Sequence, residues 1–307
     1  MIDRDPVHLK ALLPSGLLSF PVTAFNTRGE FDPPRYARLI EKAASGGAVA
    51  LFAAGGTGEF FSIDAEEYPL IIRTAVDASA GRLPIIAGCG YGTRTAIKLA
   101  KLAEDAGASG LLLLPHYLVE AEQGGLFEHV SAVCKSVSIG VIVYNRDNSV
   151  IAAHTLGRLA EACPNLIGYK DGYGDIELLQ SITSLLGDRL VYIGGMPTAE
   201  VYAPAYKAAG VSTYSSAVYN FIPSQAVAFY DAITRGEHTV IEGMLERFFW
   251  PYLRLRNRRK GYAVSIIKAG MRAMGLEDPG PVRPPLTNLA PQEEQELKYL
   301  LDNVFRT

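Results

Sequence analysis

Val141-Ile142-Val143-Tyr144-Asn145 and Leu166-Ile167-Gly168-Tyr169-Lys170-Asp171 are two short apolar runs, one ending on a phenol and the other on a primary amine. Short apolar runs bounded by polar breaks read as buried strands. If two such strands are parallel neighbours, their C-terminal ends share a face, and Tyr144 and Lys170 meet in one pocket. A desolvated lysine loses part of its proton affinity and can attack a carbonyl to form an imine. A phenol beside it can move the protons that imine chemistry requires. A solvated loop lysine and a tyrosine packed at a barrel rim account for the same residues without chemistry, so the rest of the chain decides.

The same kind of run recurs on both sides. Residues 17–20, 49–52, 83–86 and 110–114 precede the pair, and 190–193 and 211–214 follow it, which makes eight with 141–143 and 166–168. Between them lie amphipathic stretches, among them 33–44, 64–80, 93–106 and 121–137. Several open on a capping residue, as at Ser62 with Asp64 and at Thr93, and several close near a glycine, as at Gly46, Gly81, Gly107 and Gly187. Strand and helix alternating eight times predict an α/β fold, a closed parallel (β/α)8 TIM barrel, with a doubly wound open sheet as the alternative. After Gly236 only helical patterns remain, at 237–255, 262–274 and 291–304. They predict a barrel over 1–236 that carries the site, and a C-terminal helical extension over 237–307 packed on it.

With 307 residues, 49% of them hydrophobic and 20% charged, the chain has the make-up of a soluble globular enzyme. A net charge of −3 offers no overall attraction for nucleic acid or a membrane surface. The one basic cluster, Arg254, Arg256, Arg258, Arg259 and Lys260, reads as a helix end or a subunit contact. No apolar run reaches transmembrane length, and Met1 to Pro14 lacks the apolar core of a secretory signal. Cys89, Cys134 and Cys163 lack metal-ligand spacing, and the five histidines are scattered, which points to reduced thiols, a cytoplasmic location and no metal.

In a barrel of this kind, catalytic groups gather at the C-terminal ends of the strands. The second strand runs into Gly55-Gly56-Thr57-Gly58-Glu59, whose glycines let the backbone approach a ligand and whose N–H groups can hold a carboxylate or phosphate. A tight turn is the other reading of that loop. The fourth strand ends at Pro115-His116-Tyr117, the fifth at Tyr144, the sixth at Lys170, the seventh at Gly194-Gly195 and the eighth at Ser215-Ser216.

Taken with Phe60-Phe61-Ser62, Arg146-Asp147-Asn148-Ser149, Met196-Pro197-Thr198 and Thr213-Tyr214, these segments make the chain resemble a known family over nearly its whole length. It is the dihydrodipicolinate synthase / N-acetylneuraminate lyase family of class I, Schiff-base aldolases. The resemblance implies that Lys170 forms an imine with a 2-keto acid and that Tyr144 serves as general acid and base. It implies that Gly56 and Thr57 hold the carboxylate beside the reacting carbonyl, and that Gly195 leaves room for the bound keto acid. Tyr117 would reach a neighbouring subunit's site in a homotetramer or dimer. No metal or dissociable cofactor is implied, because the covalent lysine imine is itself the electron sink.

Within the family the nearer likeness is to dehydratases of keto sugar diacids. The expected partner is therefore a small keto sugar-diacid, dehydrated and decarboxylated. An aldolase that releases pyruvate and a non-catalytic keto-acid-binding protein are the alternatives. Asn145, Ser212, Ser215 and Ser216 are candidates for orienting the distal carboxylate. Two departures from the wider family stand out. Gly56 occupies a position where many members have a threonine that relays protons, and Asp147 and Ser149 replace a proline and a carboxylate-binding arginine. Arg146 then reads either as a different anion contact or as an outward salt bridge to Asp147, and the methylene proton can pass to Tyr144, to Lys170 or to a water.

Overall fold

Each run read as a strand forms one in the computed structural model, which describes residues 4–306. After α1 (Pro6–Leu12) come β1 (Leu18–Ser19), α2 (Pro33–Ala43), β2 (Ala50–Ala53), α3 (Tyr68–Ser79), β3 (Ile85–Cys89), α4 (Thr93–Asp105), β4 (Gly110–Leu113) and α5 (Gln123–Cys134). The alternation continues with β5 (Gly140–Asn145), α6 (Ala153–Ala162), β6 (Leu166–Asp171), α7 (Ile176–Leu186), β7 (Val191–Gly194), α8 (Ala203–Ala208), β8 (Thr213–Ser216) and α9 (Pro223–Arg235). Each strand pairs in parallel with the next, and β8 returns to β1 through Leu18 and Ser215, so the sheet is a closed barrel and not an open one. Strands β5 and β6 are buried at every position, as a parallel sheet lined inside and covered outside by helices requires.

Local chemistry sets the helix ends. Asp32 accepts the Arg35 N–H ahead of the prolines that open α2, and Asp175 accepts the Leu178 N–H at the start of α7. Two expected caps differ. The helix anticipated from residue 64 begins at Tyr68, because the Asp64 carboxylate first takes the Glu66 and Glu67 N–H groups at 2.8 and 2.9 Å and closes a turn. At α4 the extended Gly92 is the cap, and Thr93 is already helical, its hydroxyl 2.9 Å from His129 Nδ1.

The eighth strand begins two residues later than its apolar pattern suggests. Ser212 is therefore exposed and precedes β8 at the end of the barrel opposite the strand C-termini, whereas Ser215 and Ser216 lie in the strand's last two positions.

Beyond Gly236 follow α10 (His238–Met244), a π-helical turn at Leu245–Phe249, α11 (Trp250–Arg256), α12 (Tyr262–Ala273) and α13 (Pro291–Phe305). Phe248 in the π-turn packs edge-on against Phe221, Phe249 and Phe305, tying the segment after β8 to α13. Lys268 of α12 penetrates to the loop after β2. Its Nζ lies 2.7 Å from Glu59 Oε1, both side chains fully buried, and donates to the Pro281 carbonyl at 2.8 Å. Glu59 Oε2 accepts the Arg283 N–H at 2.8 Å, and the Arg283 guanidinium pairs with Glu67 and lies 4.0 Å from the Phe25 ring centre.

Of the basic cluster, Arg258 pairs with Glu296 at 2.6 Å and Arg259 approaches Glu293 at 3.8 Å. The three cysteines are free and buried. Among the described residues no helix is long and apolar enough to cross a membrane. Residues 1–3 of the stretch expected to lack a secretory signal lie outside the described residues.

Candidate active site

Tyr144 and Lys170 are register partners on β5 and β6, so their side chains project side by side from the C-terminal ends of adjacent strands. Both are buried, at 6% and 3% exposure. The Lys170 ammonium stands 3.7 Å from the centre of the Tyr144 ring and 5.0 Å from that of Phe20. Burial pulls the Lys170 amine below its ordinary range, with the Tyr144 phenol partly offsetting it. The net shift favours the neutral nucleophile. Asp171, next in the chain, turns away. Its carboxylate accepts the Tyr173 and Gly174 N–H groups and the Tyr206 hydroxyl, at 3.1, 3.1 and 2.8 Å, and so anchors the loop after β6.

The pair lies in a cavity of about 320 Å³ whose wall includes Phe20, Gly56, Thr57, Tyr117, Gly195 and Ser215. That is the size of a small-molecule site. A Cβ at Gly195 would stand 2.7 Å from Lys170 Nζ and 2.6 Å from the Asp171 carbonyl, so only glycine fits against the lysine. A Cβ at Gly56 would meet nothing within 4 Å, which makes that position open cavity. Tyr117 comes in from the loop after β4 with a left-handed backbone (φ 55°), its ring 5.8 Å from that of Tyr91. In this single chain it lines the same cavity as Lys170. Ser215 donates to the Gly194 carbonyl at 3.3 Å and lines the wall.

Three anticipated contacts fall elsewhere. Asn145 is fully buried and spends its amide on Ile151, accepting from its N–H at 3.0 Å and donating to its carbonyl at 3.1 Å; it closes the loop after β5 and does not line the cavity. Ser212 is excluded by its place before β8, at the opposite end of the barrel. Ser216 donates to Glu200 Oε1 at 2.6 Å behind the cavity wall. That carboxyl is fully buried, and burial pushes it up to about 7 against the pull of Ser216 and Arg256.

Two arginines complete the site. The loop held by Asn145 contains a tight turn in which Arg146 and Ser149 exchange backbone hydrogen bonds, with Asp147 left-handed at φ 50°. The turn aims Arg146 back at the cavity. Its Nε meets Asp147 at 3.3 Å, the salt bridge foreseen for it, while its Nη1 donates to the Tyr144 hydroxyl at 3.2 Å, a contact that was not foreseen.

On the other wall Arg256 donates to the Pro197 carbonyl at 2.9 Å and to the Thr198 hydroxyl at 2.7 Å, and two further N–H groups are taken up by Asn257. Thr198 and Arg256 both line the cavity, and neither was read from the sequence as a site residue. Arg256 was masked by its basic neighbours. The available signal was its spacing of four from the buried Tyr252, which puts both on the inward face of α11.

The chain matches the family model described as the dihydrodipicolinate synthetase family over residues 13–304. A Pseudomonas putida protein named "Probable 5-dehydro-4-deoxyglucarate dehydratase" is 58% identical, over 98% of this chain and 99% of its own length. A Rhizobium rhizogenes protein of the same name is 57% identical, over 97% and 98%. Among solved structures, dihydrodipicolinate synthase from Oceanobacillus iheyensis superposes with a TM-score of 0.89 at 26% identity, covering 99% of this chain and 100% of that one. Dihydrodipicolinate synthase from Bacillus clausii gives 0.86 at 27%, covering 96% and 99%.

Proposed function

We propose that this chain, which belongs to the dihydrodipicolinate synthetase family, is a decarboxylating dehydratase that converts 5-dehydro-4-deoxy-D-glucarate to 2,5-dioxopentanoate, water and carbon dioxide. The relatives named for that dehydratase match it from end to end, and the observation that carries the chemistry is the buried Lys170–Tyr144 pair at the floor of a cavity of diacid size. Lys170 attacks the ketone and forms an imine, with Tyr144 moving the protons of carbinolamine formation and collapse. Gly56 and Thr57 hold the adjacent carboxylate. The protonated imine draws electrons from the neighbouring methylene, whose proton leaves. The resulting enamine then expels the β-hydroxyl as water and becomes a conjugated iminium. The bond to the distal carboxylate breaks, its electron pair runs through the conjugation to nitrogen, and carbon dioxide departs. Tautomerisation and hydrolysis release the product and regenerate Lys170. The imine is the electron sink, so the scheme calls for no dissociable cofactor. The reading includes a homotetramer or dimer in the cytoplasm, with the helices after Gly236 forming part of the catalytic unit.

The distal carboxylate must be oriented without being clamped, because its charge disperses as carbon dioxide leaves. Thr198 suits that task. Its hydroxyl oxygen accepts from Arg256, which leaves its proton to donate to the substrate, while four guanidinium N–H contacts are already committed to protein oxygens. Thr198→Val should raise KM by about tenfold and change kcat by much less, as loss of one hydrogen bond to a charged group in the ground state predicts. Steady-state kinetics check it, and an unchanged KM would remove Thr198 from the distal subsite.

The reaction itself is tested by incubating purified protein with 5-dehydro-4-deoxy-D-glucarate and measuring carbon dioxide and pyruvate together. Carbon dioxide in step with substrate loss, without pyruvate, is the expected result. Pyruvate without carbon dioxide would make the protein an aldolase.

A further inference from the structure

The Tyr144 oxygen is held between opposed partners. It donates to the Gly195 carbonyl at 2.9 Å, which favours the neutral phenol, and accepts from Arg146 Nη1 at 3.2 Å, which favours the phenolate. The Lys170 ammonium stands over the same ring. Across the cavity, Gly56 offers open space and no hydroxyl. Arg146 is not a loose surface arginine. The Asn145 side chain closes the loop on Ile151, the turn from Arg146 to Ser149 fixes its direction, and Asp147 holds its far edge.

Resting on the reading above, in which Lys170 forms the imine and Tyr144 moves the protons, we propose that Arg146 is the positioning residue that holds Tyr144 ready as the base for the methylene proton. The phenolate oxygen removes that proton, the C–H pair forms the enamine double bond, and the iminium nitrogen regains its lone pair. The same proton, now on Tyr144, is delivered to the departing β-hydroxyl, which leaves as water. The tyrosine therefore ends the step as it began, and no other proton acceptor is required.

The groups facing Tyr144 favour this assignment. Burial alone raises a phenol, but Lys170 from β6 and Arg146 from its own loop outweigh burial, and the net shift of Tyr144 is downward. Tyr117 faces it from the loop after β4, Asp147 lies behind Arg146, and Asp171 is turned from the cavity to its own loop. Once Lys170 has become the iminium its positive charge persists until the methylene proton leaves, so the phenolate retains two cations at the moment it acts.

The test isolates carbon–hydrogen cleavage. In heavy water, 2-oxoadipate, a six-carbon keto diacid with no hydroxyl to lose, exchanges its methylene protons only if the base works, and proton NMR follows it against pH. The active form is the phenolate, present above the Tyr144 pKa, so removal of Arg146 moves the rising limb to higher pH. Arg146→Gln should exchange at least about tenfold more slowly near neutrality and recover toward the wild-type rate as pH rises, tenfold corresponding to about one pKa unit. Arg146→Lys, which keeps the charge, should recover most of the rate, and Tyr144→Phe should not exchange at any pH.

Borohydride trapping of the keto acid on Lys170, read by mass spectrometry, should remain in Arg146→Gln. A curve for Arg146→Gln that overlies the wild type, or lies below it by one factor at every pH, would overturn the proposal and leave the imine reading standing. Failure of the wild type to trap the keto acid would overturn both.

Discussion

Replacing Lys170 with alanine is expected to remove turnover, with a loss on the order of 10⁴-fold or more, equivalent to about 5.5 kcal/mol or more of barrier, because in the proposed mechanism the nucleophile and the electron sink are the same atom. Lys170→Arg separates that chemistry from simple charge. Arginine keeps a cation beside Tyr144 but cannot form the imine, so its activity should be as low as that of alanine. Mass spectrometry after borohydride treatment with substrate supplies the second readout, a covalent adduct in the wild type and in neither variant. The amine is poised for attack because burial, between the Phe20 and Tyr144 rings and against Gly195, disfavours its charged form. A folded Lys170→Ala protein with undiminished turnover would exclude the imine mechanism.

The second large effect lies away from the chemistry. Lys268→Met should destabilise the protein by about 3–5 kcal/mol, since it leaves the Glu59 carboxylate buried without its cation. In a chain of this size that lowers the thermal midpoint by on the order of 5–10 °C, measurable by calorimetry. Burial already pulls the Lys268 amine down, with Glu59 opposing it, so the pair survives through its short contact and its further hydrogen bonds to Pro281 and Arg283. The double variant Lys268→Met, Glu59→Gln removes both charges, keeps an acceptor for the Arg283 N–H, and should regain more than half of the lost stability. It should still turn over poorly, because Glu59 follows Gly56 and Thr57 in the loop that lines the cavity and is proposed to hold the substrate's carboxylate. A double variant as unstable as the single one would show that the unpaired charge is not what costs stability.

The strands and their order were legible because a buried parallel strand must be apolar on both faces, and eight such runs recur with helical patterns between them. Tyr144 and Lys170 were legible for a related reason. Each ends its apolar run, and ends of neighbouring parallel strands meet, as their register pairing shows. Strand ends are less certain by a residue or two, and that margin misplaced Ser212. The apolar Val211 reads as part of the strand, yet pairing begins at Thr213 and Ser212 falls on the opposite side of the barrel. Asn145 failed differently. Its position after Tyr144 is right for a ligand contact, but its amide satisfies both backbone groups of Ile151, a demand that arises only when the loop folds.

What the sequence by itself determined is the set of features that repeat or lie adjacent in the chain: the alternation of elements, the glycines at the loop after β2 and at Gly195, and the phenol and amine at consecutive strand ends. What only the tertiary structure decided is the partnership of groups far apart in the chain. Arg256 reaches Thr198 from α11, and Lys268 reaches Glu59 from α12, across separations that no periodicity encodes. Arg146 is two residues from Tyr144, and even so its direction depended on how Asn145 and Ser149 closed the turn. The physical reason is common to all three. An apolar pattern specifies which side of an element is buried, whereas the partner of a charge that folding encloses, wholly as at Lys268 or in part as at Arg146 and Arg256, is selected by desolvation, which acts only once the chain has folded around it.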